Sequence, residues 1–172
     1  MKFILENLIG IVSITILTLN TIILSCLLIP LGLIKFFLPI TNIKVLFTKF
    51  IINIGELWIF TNKIWVKALH KPNWEIIGKE NIKSNGWTIA TSNHQSFADI
   101  FLLQDITNMK MPMLKFFMKY VLIYVPIIGL SWWALDMPFL KRYTKKQLEK
   151  NPKLGGKDGK EMTRALKHYS LY

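Results

Sequence analysis

One segment of the sequence groups residue types that are used in acid–base catalysis. His94 and Asp99 stand five positions apart within residues 93–99, which also contain Asn93 and Ser96. If the histidine lies in a turn and the aspartate lies in the first turn of a following helix, the carboxylate can fold back on the imidazole. The carboxylate would then fix the tautomer of the ring and stabilise the imidazolium that forms when the ring takes up a proton.

No nucleophilic side chain accompanies this pair in a known pattern. The sequence contains no G-x-S-x-G motif, no cluster with metal-ligand spacing and no glycine-rich phosphate loop. The arrangement therefore favours His94 as a general base that removes a proton from a hydroxyl group of the substrate. A structural interpretation is a helix N-terminus that is capped by Ser96 and supported by Asp99, and the two interpretations are compatible.

The other two histidines are interpreted as structural residues. His70 precedes Glu75 by five positions, but Pro72 and Trp74 separate the pair at a boundary between two elements. His168 lies near the end of a polar helix, where the helix dipole favours a cation.

The elements around the His94 segment alternate between strand and helix patterns. Short, partly β-branched stretches predict strands over 74–78, 87–92 and 113–118, and a helix is predicted to begin near Ser96 or Asp99. The predicted fold class is therefore α/β. In α/β sheets, ligands bind at the loops that follow the strands, which is where the histidine lies.

The C-terminal part of the chain is basic. Residues 141–164 contain nine basic and three acidic residues, and a helix is predicted over about 160–169. Before them, the apolar run 121–135 is broken by Pro126 and Gly129, which is typical of buried core or of a shallow membrane-contacting segment.

A long uncharged segment lies near the start of the chain. The 27 residues 8–34 carry no charge, whereas about 20 apolar residues suffice for a helix to cross a bilayer. The run could cross once with tilt, or bend near Pro30 and Gly32 into a short interfacial hairpin. A cleaved signal peptide fits less well, because its apolar region has only about 7–15 residues.

A second apolar pattern follows at helical spacing over about 43–59 and indicates an amphipathic helix. This helix could pack on the folded domain, or lie in the headgroup layer with Trp58 and Trp65 as interfacial anchors. Lysines after the first segment predict that its C-terminal side is cytoplasmic. The predicted organisation is a membrane anchor over 1–40, an amphipathic juxtamembrane helix over 41–70 and a domain over 71–172.

Composition limits the class of partner. The 172 residues are 52% apolar and 19% charged, with a net charge of +12, which excludes a disordered chain. Basic charge alone would indicate nucleic acid, but the high apolar content favours anionic membrane lipid as the partner.

Residues 93–99 resemble the N-H-x-S-x-x-D first motif of the PlsC-type glycerolipid acyltransferases, which include the 1-acylglycerol-3-phosphate O-acyltransferases. The resemblance extends downstream to the family's K-x6-P-x2-G stretch, to its second motif ending in arginine, and to a feature of the bacterial YihG-type branch. The K-x6-P-x2-G stretch corresponds to Lys119, Pro126 and Gly129. The second motif corresponds to residues 138–142, and the YihG-type feature corresponds to residues 136–139. The resemblance spans about 74–172.

The resemblance implies a membrane-bound enzyme of phospholipid biosynthesis at the bacterial inner membrane, with its catalytic part on the cytoplasmic side. Such an enzyme moves an acyl group from acyl-CoA or acyl carrier protein to the hydroxyl of a lysophospholipid such as lysophosphatidate. It needs no metal and no cofactor besides this acyl donor. His94 would be the general base and Asp99 would orient it.

The same resemblance implies the residues that bind the substrate. Arg142 would hold the phosphate of the acceptor, because its planar guanidinium binds phosphate oxygens in pairs, and Lys141 would assist. Asn93 and Ser96 would also contact the substrate.

The family has a third motif, Glu-Gly-Thr-Arg, and a later fourth motif, and neither occurs in these 172 residues. The expected fold is therefore an incomplete, C-terminally truncated sheet-and-helix domain behind an N-terminal transmembrane or interfacial helical anchor. The alternative function is a catalytically inactive truncated membrane protein of the same family.

Overall fold

The computed structural model describes residues 2–82 and 88–169, which are mostly helical. Contacts within the chain define two compact units, Met1–Leu114 and Lys115–Tyr172. The first unit contains helices α1 (Lys2–Phe37), α2 (Thr41–His70) and α3 (Phe97–Thr107). The second contains strands β1 (Met118–Lys119) and β2 (Phe139–Leu140) and helices α4 (Ile128–Ala134), α5 (Lys145–Lys150) and α6 (Lys157–Tyr169). Short 3-10 turns occur at Lys79–Asn81, Tyr120–Tyr124 and Pro152–Leu154.

Helices α1 and α2 form an antiparallel hairpin. Helix α1 has a mean hydropathy of 2.3 over its most apolar window, and it is long and apolar enough to cross a membrane. It continues through Pro30 to Phe37, so the chain reverses at residues 38–40 instead of bending near Pro30 and Gly32. Helix α2 covers residues 41–70, the range over which the sequence predicts an amphipathic helix.

Hydrogen bonds between polar side chains connect facing positions of the two helices of the hairpin. The Asn20 amide donates to Thr61 Oγ1 at 2.8 Å and to Asn62 Oδ1 at 2.9 Å. The indole N–H of Trp58 donates to Thr21 Oγ1 at 3.0 Å. Since buried polar groups are costly unless they are hydrogen-bonded, these pairs define the register of the hairpin.

Helix α3 packs against the C-terminal half of α2. The Asn108 amide, just after α3, donates to the Glu56 carboxylate. The rings of Trp58 and Phe101 stack at 6.3 Å, and Lys63 forms an ion pair with an α3 carboxylate. The closed end of the hairpin, from Glu56 outward to residues 38–40, lies beyond these α3 contacts.

The predicted strands are largely absent from the described residues. Residues 74–78 and 88–92 form no strand, and within 113–118 only Met118 belongs to one. Residue 87 lies outside the described part. A strand requires a hydrogen-bonded neighbour, and β-propensity reflects packing on a sheet more than an intrinsic preference of the backbone. The α/β prediction is therefore correct only in that a short parallel sheet accompanies the helices.

That sheet belongs to the second unit, where Met118 pairs with Phe139 and Lys119 with Leu140 in parallel. Gly129, on α4, lies so close to the preceding turn that a Cβ atom there would come within 2.2 Å of the Ile123 carbonyl oxygen. The glycine therefore permits the close approach of α4 to this turn. The run 121–135 is thus a turn and a short helix, partly buried and partly exposed.

Candidate active site

The candidate site lies where an irregular segment enters α3. Residues 88–95 are irregular, and Ser96 is the N-cap residue with extended backbone angles. Asp99 is the third residue of the helix, and its Oδ2 atom accepts the backbone N–H of Gln95 at 2.6 Å and that of Ser96 at 2.8 Å. The bond from Ser96 satisfies an N-cap donor that a helix N-terminus otherwise leaves without a partner, and the bond from Gln95 fixes the residue before the cap.

The same oxygen atom faces the histidine. His94 Nδ1 lies 3.6 Å from Asp99 Oδ2, with 58% of the His94 side chain and 38% of the Asp99 side chain exposed. This separation exceeds a hydrogen bond, and catalytic hydrogen bonds are often long before substrate binds. Because Nδ1 is the nitrogen that faces the carboxylate, Nε2 is the nitrogen that can reach a substrate.

The surroundings of Asp99 favour its ionised form. Backbone hydrogen bonds from Ser96 and then Gln95 lower the pKa of Asp99 below its ordinary value of 3.8, and the neighbouring His94 lowers it further. The carboxylate is therefore charged at neutral pH, as it must be to stabilise an imidazolium.

Asn93 and Ser96 lie beside this pair in the same exposed segment. Ser96 occupies the N-cap position, which agrees with the capping interpretation. The substrate contacts assigned to both residues stay predictions.

Lys141 and Arg142 belong to the second unit, directly after β2, and both are exposed. The Lys141 backbone N–H donates to Glu161 Oε2 on α6 at 3.3 Å. The Lys141 ammonium lies 4.8 Å from the centre of the Tyr120 ring, within the range of a cation–π contact. The second sequence motif contains Lys141 and Arg142, but nothing in the sequence predicts that the Tyr120 ring lies beneath Lys141.

Two features of the first unit were not predicted. One is the hydrogen bond of 2.8 Å between Ser13 and His70 Nε2, which connects residues 57 positions apart. The other is a cleft beside α2 and α3 that several lysines line. Over residues 2–82 and 88–169, no group of three His, Cys, Asp or Glu side chains is placed to hold a metal ion.

Residues 73–168 match the model of the acyltransferase family. The match includes the His94 segment and Lys141–Arg142 and spans more than half of the chain. The chain therefore belongs to the acyltransferase family, which makes it a transferase of acyl groups. No curated protein and no solved structure matches the chain.

Proposed function

We propose that the protein transfers a fatty acyl group from acyl-CoA or acyl carrier protein to the free hydroxyl of a lysophospholipid such as lysophosphatidate. The observation that carries this proposal is the His94–Asp99 pair at the start of α3, inside the segment that matches the family. A base without its own nucleophile suits a reaction in which the substrate supplies the attacking oxygen.

In the proposed step, His94 Nε2 takes the proton of the acceptor hydroxyl while the oxygen attacks the thioester carbonyl carbon. Asp99 stabilises the resulting imidazolium through Nδ1. The carbon–sulfur bond then breaks, and the thiolate of the donor leaves and receives the proton from the imidazolium. The products are an ester and a free thiol, so the pair is restored without another reactant.

Arg142 is proposed to bind the phosphate of the acceptor. Its exposed guanidinium can form paired hydrogen bonds to phosphate oxygens, and the neighbouring Lys141 adds positive charge. Phosphate binding at this pair would select phosphorylated acceptors over neutral ones.

We propose that the closed end of the α1–α2 hairpin inserts into the membrane. Between Thr41 and Glu56, α2 rises about 22 Å, which is less than the roughly 30 Å of the hydrocarbon layer. The exposed side chains at this end include Phe36, Phe37, Ile40 and Phe50. We infer that this end enters the bilayer without crossing it, so that both ends of the hairpin stay on one side.

The reaction is tested with the purified protein in neutral detergent, acyl-CoA and lysophosphatidate. Release of free thiol and formation of diacylglycerol phosphate, measured by mass spectrometry, should both occur and should both be lost in His94→Ala. His70→Gln is the matched control, because this histidine lies outside the His94 segment. Turnover that persists unchanged in purified His94→Ala would refute the assignment.

Membrane insertion is tested through Cys26, the only cysteine of the chain, which is exposed near the closed end. A polarity-sensitive fluorophore attached to Cys26 should report an apolar environment in vesicles and be quenched by lipids brominated on their acyl chains. Protease added outside sealed vesicles should reach tags at both termini or at neither. Quenching by aqueous iodide only, or opposite accessibility of the two tags, would contradict the hairpin proposal.

A further inference from the structure

The second unit exposes an apolar face on the turn that follows β1 and on the start of α4. From residue 120 to residue 135 the chain carries no charge. Most of residues 120–130 are exposed, and the four consecutive residues 124–127 are exposed together. The 120–130 face consists of the exposed side chains of Tyr120, Val121, Tyr124, Val125, Ile127 and Leu130.

The members of this face lie close to one another. Residues three apart in a 3-10 turn point in the same direction, so Val121 and Tyr124 share one side of the turn after β1. Their side chains are 63% and 72% exposed. The rings of Tyr120 and Tyr124 meet edge to face at 6.1 Å, and the close approach of Gly129 to the turn brings Leu130 near them. A contiguous exposed apolar surface of this kind marks an interaction site.

Cations border the 120–130 face where it meets the sheet. Lys119 directly precedes Tyr120, and in the sheet it pairs with Leu140, the residue before Lys141. The Lys141 ammonium lies 4.8 Å from the centre of the Tyr120 ring, so a cation lies over one member of the face. Lys119, Lys141 and the adjacent Arg142 are all exposed. Positive charge therefore lies along the edge of an apolar surface.

The charge of the unit selects the partner of the face. Residues 115–172 contain twelve basic and four acidic residues. A second copy of the chain on this face would bring like charges together, and their repulsion opposes self-association. An anionic bilayer attracts the same cations, because each lysine near its surface strengthens the attachment. Tyrosine also favours this partner, since its apolar ring and polar hydroxyl suit the boundary between lipid and water.

We infer that the second unit docks on the surface of a bilayer that contains anionic phospholipid. The 120–130 face enters the boundary between headgroups and acyl chains, and Lys119, Lys141 and Arg142 meet the lipid phosphates. This contact involves the unit Lys115–Tyr172 alone and is additional to the proposed insertion of the hairpin. It places Arg142 at the depth of the acceptor phosphate, and only this last point rests on the proposed function.

Docking is measured with a polarity-sensitive fluorophore on a cysteine within the face. The full chain carries Cys26→Ser and Tyr124→Cys, and it is added to preformed vesicles of phosphatidylcholine with or without phosphatidylglycerol. Only vesicle-bound protein, recovered by flotation, is measured, so the result does not depend on how tightly the hairpin binds. In the anionic vesicles the emission should shift to shorter wavelength, and lipids brominated on their acyl chains should quench it.

Glu149→Cys in the same Cys26→Ser chain is the matched control, because Glu149 is exposed on α5 of the same unit and lies outside the face. Its fluorophore should stay in water and be quenched by iodide. Equal access of iodide to both positions in anionic vesicles would overturn the inference. A shift at position 124 that grows with protein concentration in detergent alone would assign the face to a second copy, and an equal shift in neutral vesicles would exclude the role of anionic lipid; either result would also overturn it.

Substitutions localise the contact in the chain labelled at position 124. Lys119→Gln should lower the ratio of docked to undocked protein about fivefold, because one lysine near an anionic surface contributes about that factor. Lys153→Gln removes the same charge from an exposed position elsewhere in the unit and should have a smaller effect. Equal losses in the two variants would show charge attraction without a defined face and refute the inference.

The apolar part of the contact is tested at Val121, which is exposed enough for substitution without loss of the fold. Val121→Asp places a charge in the face and should abolish the shift, whereas Val121→Leu keeps the position apolar and should retain it. A shift that persists in Val121→Asp would contradict insertion of the face. These measurements do not depend on turnover, so the docking can fail while the acyl-transfer and hairpin proposals stand, and the reverse.

Discussion

The three contacts of Asp99 Oδ2 lead to a graded prediction for substitutions in the dyad. The atom accepts two backbone N–H groups and lies 3.6 Å from His94 Nδ1. An asparagine can place its carbonyl oxygen at the same point, so Asp99→Asn keeps the acceptor and removes only the charge. At 3.6 Å through a largely aqueous surrounding, that charge stabilises the imidazolium enough to raise the rate about tenfold.

Two further variants complete the series. His94→Ala removes the base itself, which contributes about 10²–10⁴-fold to the rate. Asp99→Ala removes both the charge and the acceptor, leaving the N–H groups of Gln95 and Ser96 without their partner. Its rate should therefore fall between those of Asp99→Asn and His94→Ala.

The assay is the release of free thiol from acyl-CoA at saturating lysophosphatidate, with far-ultraviolet circular dichroism as a check that each variant is folded. A rate for Asp99→Asn as low as that of His94→Ala would refute the electrostatic account. A wild-type rate in folded Asp99→Ala would show that the carboxylate serves only as part of the helix cap.

The remaining predictions concern the acceptor, the packing and the pH dependence. Arg142→Ala should raise KM for lysophosphatidate by about 10–100-fold, the range for hydrogen bonds to charged groups, while a phosphate-free acceptor is unaffected; equal losses for both acceptors would exclude phosphate binding. Gly129→Ala should lower the free energy of unfolding by at least about 1–3 kcal/mol, because the new Cβ atom clashes with Ile123. Gly159→Ala should raise the free energy of unfolding by about 0.4–1 kcal/mol, because the space around this position on α6 is open. Thermal melts that rank the two variants the other way would contradict the packing. Because the pKa of Asp99 is lowered in the folded protein, its contribution to stability is complete above pH 3.8 and is lost as the pH falls through the lower folded value. The difference in melting temperature between wild type and Asp99→Asn should accordingly close as the pH falls below 3.8; a difference that persists unchanged well below that pH would refute this assignment.

The features that local chemistry determines could be predicted from the sequence. Ser96 and Asp99 indicate a helix start because both stabilise the first turn through contacts within four residues, and α3 begins at Phe97. The apolar spacing that indicates an amphipathic helix is likewise a property of one element, and α2 confirms it. Both signals are short-range, so neither depends on the rest of the fold.

The features that depend on distant partners could not be predicted. Residues 74–78 have strand-like composition, but a strand forms only where another strand supplies hydrogen bonds. The bond from Asn20 to Asn62 joins positions 42 apart, and nothing local to either residue specifies the other. Similarly, the clash that requires Gly129 involves the carbonyl of Ile123, whose position follows from the turn between them.

The shared oxygen of Asp99 limits which changes the protein can tolerate during evolution. Asn, Ser or Thr at position 99 could accept a backbone N–H, so a need for capping alone would leave that position free to drift among several polar residues. The proposed catalytic role adds a requirement for a charge facing the imidazole, and this requirement removes those neutral substitutes. A glutamate would keep the charge but would have to fold its longer side chain back to reach the same two N–H groups. Residue 99 is therefore a position where stability and chemistry select the same side chain, and a descendant that abandoned catalysis should show its first tolerated changes there.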